Sequence, residues 1–122
     1  CAPSRASLLT GRHTGHVSVR GNGDVPLDPA DVTFAEVLRA AGYRTGLVGK
    51  WGLGPEGSDS TPGSQGFDES FGVLHHIHAH RQYTDHLWRN GRKVAVDPKR
   101  FTGDLYLQES LAFVRKHRAR PW

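Results

Sequence analysis

The stretch "TFAEVLRAAGYRTGLVGK", residues 33–50, constrains this chain more than any other. Thr33 and Glu36 have capping-box spacing, Phe34, Val37, Leu38 and Ala41 share one helical face, and Gly42 follows as a stop. Directly after that short turn, "YRTGLVGK" reads as a buried strand. A helix joined this closely to a strand is a unit of an α/β fold. It delivers Lys50 to the strand's carboxyl end, where open α/β sheets keep their ligand sites.

Around this unit the chain is punctuated by 15 glycines and 7 prolines. The first segment predicts a short helix from Pro3 to Thr10, with proline in its first turn and Gly11 as a left-handed terminator. "GHVSVRGNGDVPLDPAD" (15–31) and "GPEGSDSTPGSQG" (54–66) are loops. "LWRNGRKVAV" carries Asn90-Gly91 between two β-prone runs, a strong hairpin signal. A last helix spans about Thr102 to Arg118, with Leu107, Leu111 and Val114 on one face and basic residues in its final turns.

This order contains one core strand, whose edges need partners. The chain also starts at Cys rather than Met and stops at "RARPW". We therefore expect residues 1–122 to be part of a larger domain, with upstream and downstream parts and the sheet partners outside this sequence.

Sixteen Lys and Arg against twelve Asp and Glu give a net charge of +4, spread along the chain until "RKHRAR". A modest, scattered excess suits a small anionic substrate and argues against nucleic acid. No apolar run approaches the roughly 20 residues of a membrane span. The only cysteine, Cys1, excludes an intrachain disulfide and any multi-cysteine zinc site.

Cys1 stands at the mouth of the first helix, ahead of Pro3 and Arg5. There the free N–H groups and the positive helix end favour anions and depress a thiol pKa. The Cys-to-Arg spacing is too short for a cysteine phosphatase loop. A cysteine hydrolase with a distant His base and a plain terminal cysteine both remain open on the residues alone.

"CAPSRASLLTGR" closely resembles the signature of the type I, formylglycine-dependent sulfatases (the arylsulfatase family), C-x-P-S-R followed by a helix ending T-G-R. "RGN", "VTFAEVLRAAGYRTGLVGKWGLG", "QGFDESFG" and "YLQESLAFV" match further segments in the same order. The resemblance implies an α/β sandwich of alkaline phosphatase type with a mixed central sheet, and a sulfuric ester hydrolase. It implies that a formylglycine-generating or sulfatase-maturating enzyme oxidises Cys1 to an aldehyde that hydrates to a diol. One hydroxyl attacks sulfur, and the other then expels sulfate. Substrates would be sulfated small molecules or sulfated carbohydrates. The family pattern also implies a periplasmic, secreted or lysosomal location.

In that scheme Arg5 stabilises the diol and Lys50 contacts the sulfate. One divalent cation, usually Ca²⁺, is expected with Cys1, as formylglycine, among its ligands. Its other ligands lie outside this chain, so residues 1–122 alone are expected to be inactive. Phosphate or phosphonate ester hydrolysis is the enzymatic alternative. A non-catalytic anion-binding relative is the other, because the family's usual histidine after "GKW" is here Gly52. We expect His78 or His80 of "LHHIHAH" to replace it, with His80 as the acid and His78 on the substrate. In an extended segment His76, His78 and His80 would project to one side. A zinc site from these histidines is a lesser alternative. His13 and His16 are expected at the surface, Arg12 at the helix end, and Trp51 in packing.

Overall fold

Both capping-box bonds form in the structure, a computed structural model that describes residues 1–122: Thr33 Oγ1 accepts from the Glu36 N–H at 3.2 Å, and Glu36 Oε2 accepts from the Thr33 N–H at 2.8 Å. They start helix α2 (Phe34–Ala40), after helix α1 (Ala2–Thr10). The α1 helix has proline in its first turn and ends at Gly11, whose φ of 66° is the left-handed conformation glycine adopts without steric cost.

Strand β1 (Gly46–Lys50) runs parallel to β2 (Glu69–Val73), in register from Gly46 with Glu69 to Lys50 with Val73. Antiparallel β3 (His86–Arg89) follows β2 in the sheet, and β4 (Arg92–Ala95) closes the order β1-β2-β3-β4. Asn90 and Gly91, at φ 49° and 78°, make the turn of the expected hairpin. Helix α3 (Thr102–His117) completes the chain.

Two clusters divide the interior. Ala2, Ala6 and Leu9 of α1 pack with Val17, Leu27, Trp51, Leu53 and Leu74, and with Leu47 and Trp88 of the sheet. Phe71, Val73 and Leu87 pack against Leu105 and Tyr106 of α3. Successive β3 side chains, Leu87 and Trp88, thus serve opposite layers, and the sheet is sandwiched between α1 and α3. Each fully buried leucine, such as Leu27 or Leu53, contributes about 2 kcal/mol. Ion pairs of α3 with the sheet, Arg89–Glu109 and Lys116–Glu69, are exposed enough to add at most about 1 kcal/mol each. Packing therefore sets where α3 lies.

Three expectations need correction. The partner of β1 is within the chain, because "ESFGV" forms β2, for which no element was expected. Helix α3 does not turn Leu107 and Leu111 inward: both are exposed, and Tyr106 and Phe113 approach the sheet instead. The Phe71 and Tyr106 rings meet edge to face at 6.3 Å, and Phe113 lies over Gly46, where the absence of a side chain admits an aromatic ring. On α2 only Ala35 is buried, while Phe34, Val37 and Leu38 face outward.

Candidate active site

The carboxyl end of β1 and the amino end of α1 meet because Arg5 ties them. Arg5 Nε donates to the Trp51 carbonyl at 2.7 Å, and Nη2 donates to the Lys50 carbonyl. Burial lowers the Arg5 pKa from its ordinary value, yet a guanidinium keeps its charge. Arg5 is therefore both a strut and a fixed cation.

This strut points Lys50 at Cys1. Lys50 Nζ lies 2.7 Å from Cys1 Sγ, although 49 positions separate the two residues in the chain. Desolvation, and then the charge of Arg5, lower the Lys50 pKa. Cys1 caps α1 without a side-chain cap bond. Asn22 does that work from the following loop: its Oδ1 accepts from the Cys1 nitrogen at 2.8 Å and from the Ala2 N–H at 2.9 Å. Neither side-chain neighbour of Sγ, Lys50 or Asn22, is acidic. An exposed atom at a helix amino end with the Lys50 ammonium against it, and Arg5 close enough to act on Lys50, makes a receptor for an anion.

Gly52 borders this receptor. Its φ is +70°, and a Cβ placed on it would fall 2.9 Å from Lys50 Cε and 3.8 Å from Arg5 Cδ. A side chain at position 52 would thus stand against both cations, and the glycine leaves that space open.

The histidine segment is not extended. His78–His80 form a 3₁₀ turn, which removes the expected one-sided projection of His76, His78 and His80. His78 Nε2 pairs with Thr84 Oγ1 at 2.9 Å, and its ring lies 4.6 Å from that of His86. Desolvation, followed by His86, lowers the His78 pKa. His80 is exposed on the same turn. Beside Gly52 the structure places two other imidazoles, His75 and His76, together with Asp24.

His76 was singled out from sequence only in a row with His78 and His80; Asp24, His75 and Asn22 were not singled out, although "RGN" contains Asn22. Spacing along the chain carries no sign of them, since each acts on a residue about twenty or more positions away. Trp51 is fully buried with Nε1 donating to the Ser60 carbonyl, so it packs as expected. Arg12 pairs with Asp31, and His13 and His16 are exposed.

The residues around Cys1 do not by themselves fit a calcium ion, which takes roughly six to eight oxygen ligands. Position 1 and the Asn22 carbonyl oxygen, 3.5 Å from Sγ, are what this chain brings there, with the Lys50 ammonium alongside.

A family model described as Sulfatase matches residues 1–122. The chain belongs to the sulfatase family. Among curated sulfatases it is 49% identical to human Arylsulfatase G over 79 residues, which cover 60% of this chain and 14% of that protein. It is 46% identical to bovine Arylsulfatase A over 82 residues, 60% of this chain and 16% of that protein. An N-acetylgalactosamine-6-O-sulfatase of Bacteroides thetaiotaomicron is 45% identical over 82 residues, 57% of this chain and 16% of the relative. The sulfatase chain thus spans about a sixth or less of the length of these relatives.

Solved structures agree on architecture. Ps i-CgsB superposes with a TM-score of 0.82 at 26% identity, covering 99% of this chain and 32% of that one. BT4656, solved with D-glucosamine-2-N,6-O-disulfate, superposes with a TM-score of 0.77 at 26% identity, covering 98% and 22%. The mixed four-stranded sheet between helices is part of the alkaline phosphatase-like α/β sandwich of the sulfatases.

Proposed function

We propose that the protein carrying this chain hydrolyses sulfate monoesters at Cys1. The observation that carries this reading is the approach of Lys50 Nζ to within 2.7 Å of Cys1 Sγ at the mouth of α1, in a chain of the sulfatase family. The Sγ atom stands where a formylglycine oxygen would be after action of a maturating enzyme. That modification would supply a hydrated aldehyde whose hydroxyl serves as nucleophile.

The chain's own residues hold and polarise the ester. Lys50 donates to a sulfate oxygen, and its lowered pKa reflects a partly desolvated site in which a charge acts strongly. Arg5 fixes the Lys50–Trp51 backbone against α1 and adds a second positive charge. His80, with His78 as the alternative, is the proposed source of the proton for the leaving oxygen. One divalent cation, calcium, belongs to the proposal, with position 1 as one ligand and the rest from chain beyond residues 1–122. The substrate class is a sulfated carbohydrate or other sulfated small molecule. Two structural neighbours support the carbohydrate: BT4656 was solved with D-glucosamine-2-N,6-O-disulfate, and Ps i-CgsB with k-i-k-neocarrahexaose.

Turnover of an aryl sulfate and of an aryl phosphate by the full-length, matured protein tests the reading. Faster release of sulfate is the expected result. Preference for the phosphate would move the enzyme to phosphoester hydrolysis, and no turnover of either would leave a non-catalytic anion binder. The acid is tested separately: His80→Ala lowers kcat by about 10²-fold, the ordinary size of an acid–base contribution, and His78→Ala lowers it less. Unchanged turnover in both variants would remove the two histidines from the chemistry.

A further inference from the structure

Gly52 does not simply lack a side chain; it forms one wall of a cleft that the functional reading leaves unused. From β1 the chain leaves through Trp51 and Gly52, whose N–H groups donate to the Val73 and Leu74 carbonyls, so His75 and His76 emerge beside Gly52. Asp24, Val25 and Pro55 close the cleft with them. The loop carrying Asp24 is pinned at two points: Asn22 grips the start of α1 at Cys1, and Asp24 Oδ1 pairs with His75 Nε2 at 2.7 Å. The cleft is thereby fixed relative to the nucleophile position.

The polar groups in it have defined roles. His75 Nδ1 accepts from the Ile77 N–H at 3.1 Å, so the ring proton sits on Nε2 and is donated to Asp24. One Asp24 oxygen is used, and the side chain is 65% exposed, which leaves Oδ2 open as an acceptor. His76 stacks on His75 with ring centroids 4.3 Å apart. Desolvation, then His75, lower its pKa; Lys50 and His80 act in the same direction and Asp24 opposes them. An imidazole next to a carboxylate offers a donor and acceptors, the set that binds hydroxyl groups. Val25 and Pro55 add apolar surface for C–H groups.

The ligand atoms of Asp24, His75 and His76 lie within 4.8 Å of one another, close enough for a metal ion. The tautomer of His75 argues otherwise. A ligating Nε2 would have to shed its proton while Nδ1 still accepts from the backbone, and metal-bound histidines instead donate from the second nitrogen.

We propose that Asp24, His75 and His76 form a subsite for the hydroxyl groups of a sulfated sugar whose sulfate lies at Cys1 and Lys50. The subsite rests on the sulfate-ester reading and gives it a substrate class. Its test compares kcat/KM of the full-length, matured protein on galactose 6-sulfate and glucosamine 6-sulfate with that on 4-nitrophenyl sulfate, which has no sugar hydroxyls. In Asp24→Ala the ratio of sugar to aryl activity falls about tenfold or more, through KM, the equivalent of one charge-assisted hydrogen bond. Asp24→Asn, which keeps an acceptor for His75, retains more of that ratio. An unchanged ratio in Asp24→Ala overturns the subsite, as does wild-type turnover of the aryl sulfate with none of either sugar. Stoichiometric Zn²⁺ binding that is lost in Asp24→Ala also overturns it, in favour of a metal site. Failure to turn over any sulfate ester falls on the functional reading instead.

Discussion

Cys1→Ala in the full-length, matured protein lowers kcat toward sulfate esters by on the order of 10⁴-fold or more, because it removes the nucleophile while sparing the fold. Position 1 is exposed, and its contacts with the rest of the chain run mainly through its backbone nitrogen to Asn22. Cys1→Ser is more informative. A serine hydroxyl can accept the sulfuryl group from the ester, but it has no second hydroxyl on the same carbon with which to expel sulfate. The expected result is at most one turnover, with a sulfated Ser at position 1 seen by mass spectrometry and no steady state. Multiple turnovers by Cys1→Ser would mean that water attacks the ester directly, with Lys50 and Arg5 as mere electrostatic support.

The second large effect concerns the sheet that carries the site. Gly49 and Gly72 face each other across the parallel β1–β2 pair, and a Cβ on Gly72 would fall 1.8 Å from the Gly49 carbonyl oxygen. Backbone atoms cannot turn aside as a flexible side chain can, so the strands must separate. The same two strands end at the site, β1 in Lys50 and β2 just ahead of His75 and His76. Gly72→Ala should destabilise the protein by about 3 kcal/mol or more and reduce the yield of active enzyme. An unchanged melting temperature would show that β1 and β2 are not paired as described.

The local elements were legible where short-range chemistry decides them. The capping box at Thr33 and Glu36, the Gly11 terminator and the Asn90-Gly91 turn each act within a few residues, and each formed as expected. Strand β2 was not legible, because "ESFGV" is five residues long, starts with two polar residues and contains Gly72. Its strand character comes from pairing on both sides. The α3 face was misread for a related reason. Leu107, Leu111 and Val114 have helical spacing, but an aromatic ring over Gly46 and another against Phe71 outweigh them, and those cavities exist only after the sheet forms. On α2 the apolar stripe has the helical spacing read from the sequence, yet Phe34, Val37 and Leu38 stay exposed here.

The site divides in the same way. Cys1, Arg5 and Lys50 were named through the signature and its neighbours, and the structure brings all three together. Asn22 and the Asp24–His75 pair depend on loop geometry, which leaves no periodic trace in a Gly- and Pro-rich segment. Nothing in "LHHIHAH" announces a 3₁₀ turn, and the turn sends His78 to Thr84 rather than along the row with His76 that an extended segment would give.

Mass spectrometry of the Cys1 peptide, from full-length protein produced together with a sulfatase-maturating enzyme, tests the central claim most directly. Conversion of Cys1 to formylglycine is the predicted result, since Cys1, Pro3 and Arg5 stand in the order of the modification signature. A fully unmodified thiol under those conditions would contradict it.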